Sequence, residues 1–207
     1  MYKLCRYYQI LGRFEAAQKA ISEACSIRQG LLGDEHPTTL SCRHRLGQVY
    51  VESGMLDEAA STHRNVLSLR QKVLHGDNIQ TLESIISCGW ILALEREYGE
   101  AEVCLLGALK SLDASHSPEA RETIVCMNYL GEVLREQGKL PEAANIMQRA
   151  LDVCKSVHGS DHSFTVYNLY NLGLTLEKLG KYREAQKLFQ ETLKLAPLVL
   201  GKRAPAL

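Results

Sequence analysis

The sequence predicts an all-α protein built as a row of about five helical hairpins, and three recurrences carry that prediction. The first is a turn-plus-helix pattern, Gly138 to Leu151, that returns at every forty-two residues. Phe14, Leu56, Tyr98, Leu140 and Tyr182 fall in register, as do Glu58, Glu100, Glu142 and Glu184. The second is a column of alanines, Ala17, Ala59, Ala101, Ala143 and Ala185. A position that is always Ala on an apolar helix face marks a crossing too close for more than a methyl group. The third is a column of glycines, Gly12, Gly54, Gly138 and Gly180, which Arg96 alone breaks. Gly takes the left-handed backbone that ends a helix, and Pro141 fits the first turn of the next one. The glutamates then sit in first turns, where the positive helix end favours them. Such a hairpin buries its apolar face only when a neighbour stacks on it.

The elements follow in order. Residues 1 to about 10 match the later part of a first helix, since Tyr8 aligns with Tyr50 and Cys5 with Gly47. The partner helix starts near Phe14 and runs to about Leu31, with Ala17, Ile21, Ala24 and Ile27 on one face. After the linker from Gly33, Pro37 stops one element and presets the next. The second hairpin spans about 38–74 and turns at Ser53-Gly54; the third spans about 79–112, with Arg96-Glu97 at a turn that still forms. The fourth starts at Ser117, an N-cap with Pro118 behind it, and runs to about Val157. The fifth covers about 163–195 and ends before Pro197. Leu200-Gly201 and Pro205 repeat the Leu32-Gly33 and Pro37 spacing, so 196–207 reads as the start of a further linker. The whole of 1–207 is expected to be one array, cut from a longer protein or lacking capping helices. Exposed apolar ends would favour self-association.

The set Leu130-Gly131, Leu134, Gly138, Leu140, Ala143, Met147 and Ala150 resembles a tetratricopeptide repeat, with Leu46-Gly47, Tyr50, Gly54, Leu56 and Ala59 as a second copy. The usual period of that repeat is about 34 residues. The longer period and the linker Leu32 to Leu40 are similar to the variant in kinesin light chains and in the repeat arrays of fungal and bacterial nucleotide-binding receptors. The resemblance covers the chain. It implies a right-handed α-α superhelix whose first helices line a concave groove, and a role in protein–protein interaction.

Composition excludes other classes. Of the 207 residues 45% are hydrophobic and 23% charged, as in an ordinary folded protein. Basic and acidic residues balance at 24 each, which argues against nucleic-acid or membrane-surface binding. No apolar run approaches the roughly 20 residues of a membrane span, and the charged N-terminus does not read as a signal peptide. The seven cysteines contain no Cys-x-x-Cys pair and sit in helical pattern, so reduced, buried thiols in the cytoplasm are expected.

Chemistry finds little purchase. Cys154, His158 and His162 are spaced like zinc ligands on a helix, but Gly159 breaks the helix between the histidines and His162 aligns with the linker His36, so no metal site is expected. His44, His63, His75, His116 and His158 fall on separate elements. No phosphate-binding glycine loop, Gly-x-Ser-x-Gly or His-Glu-x-x-His occurs. No enzyme activity and no cofactor are expected.

The working surface is instead the first-helix wall, projected from Gly47, Gly89, Gly131 and Gly173 at helical spacing. It comprises His44, Arg45 and Gln48; Ile86, Ser87 and Trp90; Asn128, Tyr129 and Glu132; and Tyr170, Asn171 and Leu174. Tyr, Trp and Arg dominate many interfaces, and Asn can pair with both backbone groups of an extended peptide. Kinesin light chains carry Leu-Asn-Asn-Leu-Ala here; Asn128 matches the first Asn and Asn171 the second, while His44-Arg45 and Ile86-Ser87 replace both. The expected ligand is an acidic or mixed polar–apolar peptide or protein segment, with Arg45 and His44 taking its negative charge and Trp90, Tyr129 and Tyr170 its apolar groups. The expected parent is a nucleotide-binding receptor. A kinesin-light-chain-like cargo adaptor and a regulatory repeat domain of an enzyme are the alternatives.

Overall fold

The computed structural model describes residues 12–74, 76–115 and 121–203. The opening half-hairpin, Cys5, His75, His116, the Ser117-Pro118 cap and Pro205 lie outside the described residues. The described chain is helical throughout, with no strand. It divides into two compact units, Met1–Glu95 and Arg96–Leu207.

The first unit holds α1 (Phe14–Leu32), α2 (Pro37–Glu52), α3 (Leu56–Val73) and α4 (Ile79–Leu94), each packed on the next. Linker histidine and asparagine start two of them. The His36 ring accepts from the Thr38 amide at 3.2 Å with Pro37 directly behind it, and Asn78 accepts from the Gln80 amide at 2.9 Å. These side chains satisfy N–H groups that no helical carbonyl reaches. Ala17, Ile21, Ala24, Cys25, Cys42 and Val49 form the core between α1 and α2, with Ala59, Ala60 and Ile91 a second cluster. Ile27, assigned to the buried face of α1, is 47% exposed; Cys25 takes its place in the seam.

The second unit holds α5 (Tyr98–Ser115), α6 (Arg121–Glu136), α7 (Leu140–His158), α8 (Ser163–Lys178) and α9 (Tyr182–Arg203), again packed in sequence. One of its cores joins Met147, Leu151, Leu169, Leu172, Leu176 and Ala185. Gly159 ends α7 with φ 82°, and His162 caps α8 by accepting from the Phe164 amide at 3.2 Å. Here the structure corrects the sequence reading: α9 does not stop before Pro197 but continues through it and through Leu200-Gly201. Pro197 removes one helical donor, from the carbonyl of Leu193. The Leu193 side chain is 73% exposed.

All five alanines of the repeating column are buried, none more than 2% exposed. The glutamates at 58, 100, 142 and 184 lie in first turns. A second set of close approaches comes from the first-helix glycines. A methyl group on Gly47 would stand 2.6 Å from the His63 ring, on Gly131 2.6 Å from Met147, and on Gly173 2.6 Å from Phe189. These three hairpins thus seat a large second-helix side chain against bare first-helix backbone.

Candidate functional site

The predicted wall residues fall into three columns, and the structure treats the columns differently. In the column of His44, Ile86, Asn128 and Tyr170, the first two are 3% exposed and Asn128 6%, whereas Tyr170 is 48% exposed. Arg45 is exposed and Ser87 and Tyr129 half-buried, but Asn171 is buried. Gln48, Trp90, Glu132 and Leu174 are all half-buried.

In the first unit the His44 ring lies inside the hairpin. Its Nε2 is 3.2 Å from Gln48 and 3.4 Å from the Glu83 carboxylate, and the ring meets His63 edge-on at 5.0 Å. His63 is buried under Gly47, and this burial, reinforced by the Arg70 charge and opposed by a hydrogen bond to the Gly47 backbone, lowers its pKa to about 4. The ring is therefore neutral near pH 7. Arg70 is buried as well and donates to the Gln80 carbonyl, to Ser84 Oγ at 2.8 Å and to Glu83 at 3.2 Å. Arg45, Gln48, Ser87 and Trp90 are the predicted residues of this unit that reach its surface.

The second unit has a cavity of about 550 Å³ lined from three helices. Val125, Asn128 and Tyr129 come from α6, Phe164, Tyr167 and Tyr170 from α8, and Thr192 and Ala196 from α9. Three predicted residues, Asn128, Tyr129 and Tyr170, are thus brought to one place. The Tyr167 hydroxyl donates to Glu132, and Asn171 Nδ2 reaches the same carboxylate at 3.5 Å. Burial and that carboxylate push the Tyr167 hydroxyl pKa up, so it stays a donor. The Arg121 guanidinium lies 5.9 Å from the centre of the Phe164 ring, which gives the cavity a cationic flank. The chemistry is that of a binding pocket: aromatic walls, an amide, and one charge of each sign.

Sequence projection missed Val125 and Tyr167, which share a repeat column one turn before Asn128 and Tyr170; extending the face by three residues would have found them. Thr192 and Ala196 carried no signal, because they lie on a second helix.

The Cys154, His158 and His162 set does not converge. The His158 and His162 rings stack at 4.5 Å, Cys154 is in contact with Asn168, and the His162 Nδ1 is committed to its cap. Among the described residues no group of three His, Cys, Asp or Glu could hold a metal ion, and no helix is long and apolar enough to cross a membrane.

No curated protein sequence matches the chain. Its fold is similar to that of the solved Podosopora anserina putative kinesin light chain nearly identical TPR-like repeats, with TM-score 0.72 and 20% identity over 93% of this chain and 91% of that one. It is similar also to BtubC (BKLC) from P. vanneervenii, with TM-score 0.73 and 18% identity over 99% and 81%. A Rap protein complexed with Competence and Sporulation Factor matches with TM-score 0.80 and 15% identity over 93% of this chain and 52% of that one. The model of the tetratricopeptide repeat matches residues 1–72, 91–154 and 122–197. With the alanine column buried, the glycine slots filled and most of the sequence matched, the chain belongs to the tetratricopeptide repeat family.

Proposed function

We propose that the chain is a non-enzymatic scaffold that holds an extended segment of another protein against α6 and α8. The observation that carries this reading is the aromatic cavity with Asn128 in its wall. An apolar side chain of the ligand fills the space between Tyr129, Phe164, Tyr167 and Tyr170, while the Asn128 amide offers a donor and an acceptor to the ligand backbone. Arg121 and Glu132 favour segments that mix acidic, basic and apolar residues. Asn171 and Leu174 brace this wall. Arg45, Gln48, Ser87 and Trp90 form the corresponding face of the first unit, with Arg45 suited to an acidic group; His44 and Ile86 support it from inside. A Rap protein of similar fold is described with a bound factor, which supports ligand binding by such an architecture.

The parent we favour is a receptor with an upstream nucleotide-binding domain. A kinesin-light-chain-like adaptor is the second reading, supported by Asn128, Asn171 and the fold likeness to light-chain repeats. A Gly-x-x-x-x-Gly-Lys-[Ser/Thr] loop or a heptad segment in the full reading frame separates them.

The binding reading is tested by panning a random peptide library against the 207-residue chain and titrating the selected peptides into variants. Asn128→Ala combined with Tyr129→Ala is expected to weaken binding about tenfold or more, the equivalent of roughly 1.4 kcal/mol. Unchanged affinity with a folded variant overturns it. Trp90→Ala, measured separately, reports whether the first unit's face takes part.

A further inference from the structure

We propose that Cys25 and Cys42 form an oxidation site in which a hydroperoxide converts two buried thiols into a disulfide that ties α1 to α2. Cys25 Sγ and Cys42 Sγ stand 2.9 Å apart, on different helices, inside the core with Ala17, Ile21, Ala24 and Val49. Closing the bond to about 2.05 Å requires a movement of less than roughly 1 Å. Neither cysteine is engaged in a disulfide.

The repeat supplies an internal control. Cys126 occupies the column of Cys42 in the second unit, but Leu109 stands where Cys25 would be. There the thiol donates to the Leu105 carbonyl at 3.3 Å, whereas Cys42 is 3.9 Å from the equivalent carbonyl of Ile21. The first-unit sulfur thus has a longer bond to its carbonyl and a neighbouring thiol at 2.9 Å. Unequal burial sets the order of events: Cys25 is 7% exposed and Cys42 fully buried, so Cys25 is oxidised first and Cys42 resolves it.

The step balances. The Cys25 thiolate attacks one oxygen of ROOH, the O–O bond breaks, and RO⁻ takes up the proton that the thiol gave to solvent, leaving Cys25 as the sulfenic acid. The Cys42 thiol, losing its proton, then attacks the Cys25 sulfur; the S–O bond breaks and hydroxide leaves as water. Two thiols lose two protons and two electrons, and the hydroperoxide takes them up to become ROH and water. The hydrogen bond with Cys42 and burial push the Cys25 pKa up, only partly offset by the charges of Arg43 and Arg28, so the reaction is slow.

The test uses the full chain with hydrogen peroxide, followed by alkylation and non-reducing peptide mapping. Native protein is expected to give a Cys25–Cys42 linked peptide as its main disulfide and a rise in Tm of roughly 5–10 °C, reversed by dithiothreitol. The same treatment in urea should scatter the pairings. Cys25→Ala should abolish both the peptide and the shift. A native map without that peptide, or one matching the urea map, overturns the proposal. Wild type alone decides this, even where Cys25→Ala folds poorly.

Discussion

The two units use the same helical geometry with opposite chemistry in their seams. Under the first-helix glycine, the first unit places His63 and the second places Met147 and Phe189. At the next inward column of the second helix, the first unit has Arg70 where the second has Leu112 and Cys154, all buried. Yet the same backbone group is served in both. The first-turn carbonyl of α4, at Gln80, receives the Arg70 guanidinium, while the equivalent carbonyl of α8, at Phe164, receives Asn168 Nδ2 at 2.7 Å. The repeat therefore fixes where space occurs and where a first-turn carbonyl accepts a second hydrogen bond, and leaves open what fills them. A charged filler makes one unit sensitive to conditions that the apolar one ignores.

Removing Arg70 is the largest way to break this comparison. Arg70→Ala leaves a cavity and takes one partner each from Glu83 and Ser84, at an expected cost of about 3 kcal/mol, the lower end for breaking a buried pair because Glu83 is partly exposed and keeps His44 beside it. Transplanting the second unit's solution, Arg70→Cys with Ser84→Asn, should recover half of that loss or more. Urea unfolding of the three proteins checks it; a transplant no better than the alanine variant would show that the seams are not interchangeable.

A pH series separates the units next. The unfolded chain protonates His63 near its ordinary value of 6.5, whereas the folded chain resists down to about 4. The unfolded state therefore binds the extra proton in that window. The stabilisation is whole above pH 6.5 and is lost as pH falls towards 4, about 3 kcal/mol in all. His63→Met, which copies Met147, should flatten this part of the urea midpoint against pH, leaving the acid limb that carboxylates produce. An unaltered slope between pH 6.5 and 4 would mean that His63 does not carry the effect.

How much of this was legible in sequence depends on which interactions repeat. The hairpins, the buried alanines and the glycine turns could be read because steric demands recur at every forty-two residues. Projection from Gly131 and Gly173 also named Asn128, Tyr129 and Tyr170, which line one cavity. It could not show that His44 turns inward, because that depends on His63 and Glu83, which lie on two other helices. Nor could it find the closeness of Cys25 to Cys42, because the column of Cys25 holds Leu109 beside Cys126 and so gives no recurring signal. Pro197 misled because a proline within a helix removes one donor without always ending the helix, and here the helix runs on to Arg203.

The turns set the limit of the claim that geometry leaves chemistry open. At Gly54, Gly138 and Gly180 the backbone has φ between 76° and 80°, and at Gly12 67°. Arg96 adopts φ 67° at the matching position, the one described non-glycine residue with positive φ. A side chain there crowds its own carbonyl, at about 1–2 kcal/mol for an L-residue. Glycine relieves that crowding but gives the unfolded chain more freedom to lose. Arg96→Gly should therefore stabilise by only about 0.5–1 kcal/mol, a rise in Tm of roughly 1–4 °C. The converse change, Gly138→Arg, should lower Tm by a similar amount, since nothing lies within 4 Å of the added carbon and conformational strain is its main cost. If Arg96→Gly lowers Tm instead, the Arg96 side chain makes contacts that outweigh its strained backbone, and even this position tolerates a choice of chemistry.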